Sequence, residues 1–218
     1  MENEITEHVV KDAEGNITSR IPLKNNKPHG VGLSYNSRGQ VVQETEYVDG
    51  KVNGEIRRYD DDGDLVQRSH MIDGKMHGVM ESYINKVKRT MVTYDKGVPT
   101  GLMKAWHPNG QLAQESTMLN SKPHGVVSMF SDQGQLLQKI AYNKGIMHGD
   151  SELYYLSGAI RERSIYENGV KHGISTTYSE AGKVQQETLF EHGSIVEEKS
   201  PSSGGNKLGW FTRIFAGG

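Results

Sequence analysis

Apolar and polar residues alternate along this chain in short runs, and each run is broken by a turn signal. Val41, Gln43, Thr45 and Tyr47 share one parity, and Gln40, Val42, Glu44 and Glu46 share the other. That period of two places successive side chains on opposite faces of a strand. The runs end at pairs such as Asp49-Gly50, Asp62-Gly63, Asp73-Gly74, Asn109-Gly110 and Asn168-Gly169, which supply the positive φ angles of tight hairpin turns. Glycine recurs often enough to interrupt any helix.

The turn signals are periodic. One glycine set is Gly30, Gly54, Gly78, Gly101, Gly125, Gly149 and Gly173, with steps of 24, 24, 23, 24, 24 and 24. A second is Gly15, Gly39, Gly63, Gly110, Gly134, Gly158 and Gly182, with a vacancy near Val87. A third is Gly50, Gly74, Gly97, Gly145, Gly169 and Gly193, with Ser121 in the vacant slot. Other slots keep step. Tyr35, Tyr59, Tyr83, Trp106, Phe130, Tyr154 and Tyr178 each follow the first glycine by five. His29, His77, His124, His148 and His172 each precede it, and Asn53 and Thr100 fill that place in the other two units.

These periods predict an all-β fold: an elongated, single-layer antiparallel meander of about seven 24-residue β-hairpin repeats. The dense leucine ladder of a leucine-rich repeat is missing. Residues 1–14 are expected to cap the array, 15–193 to form it, and 194–218 to be linker and tail. The seven glycines of the first set are structural. With no second layer, the aromatic slots are expected to stack across rungs and hold the sheet together.

The units GKMHGVMESY, HPNGQLAQESTM, GIMHGDSELYYLSGAIRERSIYENG and GVKHGISTTYSEAG resemble the MORN-variant repeat of bacterial YwqK-type antitoxins. The resemblance runs from about Gly15 to Gly193. It implies a binding protein that neutralises a cognate toxin. The chain departs from the pattern in the third and fourth units. There the second glycine is lost around Lys86-Val87-Lys88, one residue is deleted, and Val98-Pro99-Thr100 replaces the usual K-x-H.

Composition narrows the chemistry. The chain has 218 residues, 25 Lys and Arg against 27 Asp and Glu, and a net charge of −2. No basic stripe of the kind that grips a phosphate backbone is present, so no nucleic-acid partner is expected. There is no cysteine, which excludes disulfides, thiolate metal sites and cysteine nucleophiles. The polar start MENEITEHVV lacks the character of a secretory signal, and no apolar run reaches spanning length. A cytoplasmic protein without stable membrane association is expected.

No enzymatic motif stands out. The slot histidines occur once in each of five units, too far apart along the sheet to share an ion at about 2.1 Å, so each is expected to bond within its own turn. Ser128, His124 and Asp132 lie close in sequence but lack a nucleophile elbow. The glycines fit hairpins rather than a phosphate loop. No catalytic residue, metal or cofactor is assigned.

The irregular units hold the candidate partner site. Tyr83, Lys86, Lys88, Arg89, Lys104 and Trp106 combine a cationic cluster with two aromatic residues, Trp106 being the lone tryptophan of the array. Such a surface suits an acidic patch on a protein partner. The expected function is an immunity protein, or antitoxin, that occludes a toxin domain acting in the cytoplasm. The alternative is a MORN-like membrane-surface or protein scaffold. In the tail, Leu208 to Phe215 is read as a disordered end, a cover for the last strand edge, or a contact segment.

Overall fold

The computed structural model describes residues 5–200 and the backbone of Thr212–Arg213. The chain divides into two units, Met1–Gly110 and Gln111–Gly218. In the first, the main strands are Ile5–Lys11, Ile17–Lys24, Gly30–Tyr35, Val41–Val48, Lys51–Tyr59, Leu65–Ile72, Gly78–Ile84, Val87–Asp95 and Val98–Trp106. In the second they are Leu112–Leu119, Gly125–Phe130, Leu136–Asn143, Ile146–Tyr154, Ile160–Glu167, Gly173–Tyr178, Val184–Glu191 and Ser194–Lys199. Within each unit every strand pairs antiparallel with its neighbours in the chain. The fold is all-β, and no helix occurs among the described residues.

The array extends past the expected limits at both ends. Ile5–Lys11 pairs with Ile17–Lys24 around a turn at Asp12 to Gly15. Ser194–Lys199 pairs with Val184–Glu191 beyond Gly193, and the short strand Thr212–Arg213 pairs in turn with Glu197 and Glu198. The remaining tail residues on which the linker and contact readings fell lie outside the described residues.

Two kinds of turn alternate. The tight one has two left-handed residues, as at Asp49-Gly50 (φ 48° and 89°) and at Asn120-Ser121 (φ 49° and 66°), where serine takes the place of glycine. The wider one is not the glycine pair expected from sequence. At Asp60 to Asp64 only Gly63 has positive φ. The Gly63 N–H donates to the Asp60 carbonyl and the Asp60 N–H to the Asp64 carbonyl. This is a type I turn closed by a left-handed glycine, the usual partner of a bulge, and the register shifts beside it at Tyr59.

The irregular third unit follows from this difference. Five residues, 60–64, lie between the paired Tyr59 and Leu65, but only four, 84–87, lie between the paired Tyr83 and Lys88. Asn85-Lys86 forms a two-residue turn with φ 51° and 64°. The deleted residue and the missing glycine are therefore one event, a wide turn replaced by a tight one.

The seven glycines of the first set all sit at positive φ, from 76° to 124°. At Gly54 a close contact adds to the demand of the backbone, whereas a Cβ at Gly78, Gly125 or Gly173 would meet nothing within 4 Å. Glu55, the neighbour of Gly54, donates its N–H to Glu46 Oε2 at 2.9 Å, and a Cβ on Gly54 would meet that oxygen at 2.0 Å. The strand bulges here, and the carboxylate fills the space a side chain would need.

The buried centre is unexpected. On the face shared by Thr45 and Tyr47, one residue per strand forms a central row: Gly32, Thr45, Ile56 and Ser69 in the first unit. In the second unit the row is Val127, Ile140, Ser151, Ser164, Ser175 and Thr188. Thr45, Ser69, Ser116, Ser151, Ser164, Ser175 and Thr188 are buried, and the buried apolar residues among those described are only Val127 and Ile140. A single layer offers no opposing sheet, and on most strands of the row the centre is filled by glycine or a hydroxyl side chain, with Ile56, Val127 and Ile140 the larger members. A Cβ on Gly32 would come within 2.9 Å of Tyr47 Cε2. Hydroxyls also pair across strands, Ser164 with Ser175 at 2.8 Å within the row and the half-buried Ser82 with Thr90 at 2.6 Å beside it. Tyr35, Tyr59 and Tyr83, all among the described residues, do not stack ring on ring as expected.

Candidate functional site

The other face carries a row of charge. In the first unit the register runs Leu33, Glu44, Arg57, Arg68, Glu81, Met91 and Lys104, one residue per strand. Arg57 bridges Glu44 and Glu55 at 3.2 and 2.6 Å. Arg68 Nη2 reaches Glu81 Oε2 at 2.6 Å. In the second unit the row is Ser128, Lys139, Glu152, Arg163, Thr176, Glu187 and Lys199.

The Asn85-Lys86 turn brings several of the sequence candidates together on this face. Lys88 stands directly opposite Tyr83. Its Nζ lies 2.5 Å from Glu81 Oε1 and 5.6 Å from the centre of the Trp106 ring. Tyr83 donates its hydroxyl to Glu81 Oε2 at 2.8 Å. Lys104 occupies the neighbouring strand, opposite Met91. Lys86 is separate, at the tip of the turn, where it pairs with Asp64 at 3.1 Å. Arg89 is the extra residue of a bulge, because Lys88 pairs with Tyr83 and Thr90 with Ser82. Lys86 and Lys88 are thus each matched by a carboxylate, and the cluster is less positive than its sequence implies.

Glu81 organises the site, and sequence reading missed it. Its side chain is only 7% exposed. Burial alone would raise its pKa, but hydrogen bonds from Lys88, Tyr83 and Arg68 outweigh that and hold it at about 2. Burial and the adjacent carboxylate both push the Tyr83 hydroxyl upward. The second unit repeats the arrangement at equivalent slots: Tyr154 donates to Glu152, which Arg163 Nε meets at 3.1 Å. There, burial followed by the bond to Glu152 raises Tyr154 to about 12. The signal was available in the spacing, since carboxylate and tyrosine stand three and five residues after the first glycine in both places.

An open groove of about 360 Å³ lies beside the second network, lined by Glu152, Arg163, Ile165, Ile174 and Tyr178 among others. Among the described residues no group of three or more His, Asp or Glu could hold a metal ion. Two of the slot histidines reach forward to the next tight turn rather than bonding within their own, whereas His172 Nε2 lies 3.7 Å from Glu167 beside its own tight turn. Nδ1 of His29 accepts the Asp49 N–H and that of His124 accepts the Lys144 N–H, both at 3.4 Å. Each pair joins one bulge to the tight turn twenty residues on. There the main chain also docks, as when the Gly50 N–H donates to the Pro28 carbonyl.

Residues 99–120 and 171–192 match the MORN repeat variant. The first stretch contains Lys104 and Trp106. The repeat is thus of MORN-variant type at two places, consistent with the repeated hairpin geometry. No curated protein matches the chain. Among solved structures, the crystal structure of TcdB2-TccC3-TEV aligns with 98% of this chain and 13% of its own, at 12% identity and a TM-score of 0.23. That of TcdB2-TccC3-Cdc42 aligns with 90% and 17%, at 11% identity and a TM-score of 0.18. The chain therefore spans less than a fifth of either, and similarity this low carries no argument about function.

Proposed function

We propose that this chain is an immunity protein, a non-catalytic binder that occludes a cognate toxin domain in the cytoplasm without cofactor, nucleic acid or stable membrane contact. The observation that carries this reading is the Tyr83, Glu81, Lys88 and Trp106 network. A buried carboxylate fixes a cation over an indole on a rigid sheet, so the surface needs little ordering before a partner arrives, and preorganisation of this kind favours affinity. Tryptophan and tyrosine commonly dominate protein interfaces. The resemblance of the repeats to YwqK-type antitoxins supports the same choice of partner. A net charge of −2 disfavours both nucleic acid and anionic lipid, which need clustered basic residues.

The test is co-expression with the product of the neighbouring reading frame. A toxin whose activity is abolished in a stable complex with this chain supports the proposal. Absence of any such complex, together with flotation of the chain on anionic vesicles at physiological salt, would favour the membrane-surface scaffold.

A further inference from the structure

The first unit has an exposed edge strand. Ile5–Lys11 pairs with Ile17–Lys24 on one side, and no strand pairs with its other side among the described residues. All seven of its residues are exposed, and Ile5 is 68% exposed. Every second residue of an edge strand directs its N–H and C=O outward, so a long exposed edge is a template for another strand. The last long strand of the second unit differs, because Ser194–Lys199 is met by Thr212–Arg213.

We propose that this edge pairs with the same edge of a second copy, forming a two-fold antiparallel dimer centred on Val9. The charges select that register. Centring on Val9 places Glu7 opposite Lys11 of the second copy, Val9 opposite Val9, and Lys11 opposite Glu7. Two attractive pairs then flank an apolar centre, as opposite charges directly across an antiparallel ladder favour. A shift to a centre at His8 sets Glu7 against Val9 and Lys11 against Ile5, and both attractive pairs are lost. Val9 stands opposite Arg20, whose guanidinium already holds Glu7 at 2.7 Å. Each Glu7 would thus sit between Arg20 of its own copy and Lys11 of the other, which extends the charged face of the sheet across the two-fold axis. The contact is isologous, so it closes at two copies.

The test is sedimentation of the full chain over a wide concentration range, with two single variants. Glu7→Lys sets lysine against lysine in its own dimer, and Lys11→Glu sets glutamate against glutamate. Each alone is expected to weaken self-association by about tenfold, through like charges placed directly across the ladder. In an equimolar mixture of the two, the introduced lysine of one copy faces the introduced glutamate of the other, and the retained Lys11 faces the retained Glu7. The mixture is expected to recover the wild-type affinity. Circular dichroism confirms that both variants fold. A wild-type chain that stays monomeric throughout overturns the proposal. So does a mixture that associates no more tightly than its components.

Discussion

Lys88 holds its ammonium 5.6 Å from the centre of the Trp106 ring, with its Nζ also 2.5 Å from Glu81 Oε1. The two contacts make Lys88 a different kind of residue from Lys86, although both stand in one cationic run. Lys86 is 75% exposed and meets Asp64 at the surface, a pairing worth little. Lys88 compensates a carboxylate that is almost fully buried. Replacing Lys88 by Glu would set a second carboxylate beside the first and is expected to cost about 2–4 kcal/mol, in line with broken buried pairs. Lys86→Glu should leave the denaturant midpoint almost unchanged. Chemical denaturation of the two variants checks the difference, and equal midpoints would contradict it.

Glu81 makes stability depend on acidity. Its folded pKa of about 2 lies below the ordinary 4.5, so the unfolded chain binds the proton more readily. The stabilisation is complete above pH 4.5, falls as pH drops from there towards 2, and is gone below it. The shift corresponds to about 3 kcal/mol, reduced in practice because Arg68 and Lys88 are partly solvated. Glu81→Gln should therefore be less stable than wild type at neutral pH, and the gap should close as pH approaches 2. Thermal melts of both proteins over that range decide the matter; a constant gap would assign the cost to packing rather than to charge.

The glycine slots differ in strictness. A Cβ at Gly54 would lie 2.0 Å from Glu46 Oε2 and 2.8 Å from Glu46 Cβ, at φ 124°. At Gly63 the φ is 83° and nothing lies within 4 Å. Gly63→Ala should cost about 1–2 kcal/mol, the strain of a left-handed residue with a Cβ. Gly54→Ala should cost more, roughly 3 kcal/mol, because strain and collision add. Glu46→Ala in the Gly54→Ala background should recover part of that loss. Urea midpoints for the three variants test the ordering.

Much of this fold is legible in the sequence, because glycine at a left-handed position has few substitutes and so leaves a visible period. The first glycine set and most of the tight turns follow from that fact, and the strand parity of Val41 to Tyr47 follows from the period of two along the strand. The buried row does not, since Thr45, Ser69 and Ser164 read as ordinary polar strand residues. Their burial comes with their place in the central row of the register, which composition does not reveal. The Glu81 network was hidden for another reason. Arg68 and Glu81 are neighbours only through register, as are Tyr83 and Lys88, and the second pairing depends on whether the turn before Lys88 is wide or tight.

The same geometry sharpens the test of the partner site. A charge reversal at Lys88 would damage Glu81 and confuse folding with binding, so the informative variant combines Trp106→Ala with Lys86→Glu. Trp106 offers the indole that Lys88 partly covers, and Lys86 projects from the tip of the adjoining turn. Neither carries the stability of the buried carboxylate. If the surface binds a toxin, the double variant is expected to lose at least about 2 kcal/mol of affinity, a hot-spot loss, while keeping its β spectrum and thermal midpoint. Titration calorimetry against the toxin measures the first, and circular dichroism the second. Full neutralisation by a folded double variant would move the interface off this turn, and the groove beside Glu152 and Arg163, where the same carboxylate–tyrosine pair recurs, would then be the surface to mutate.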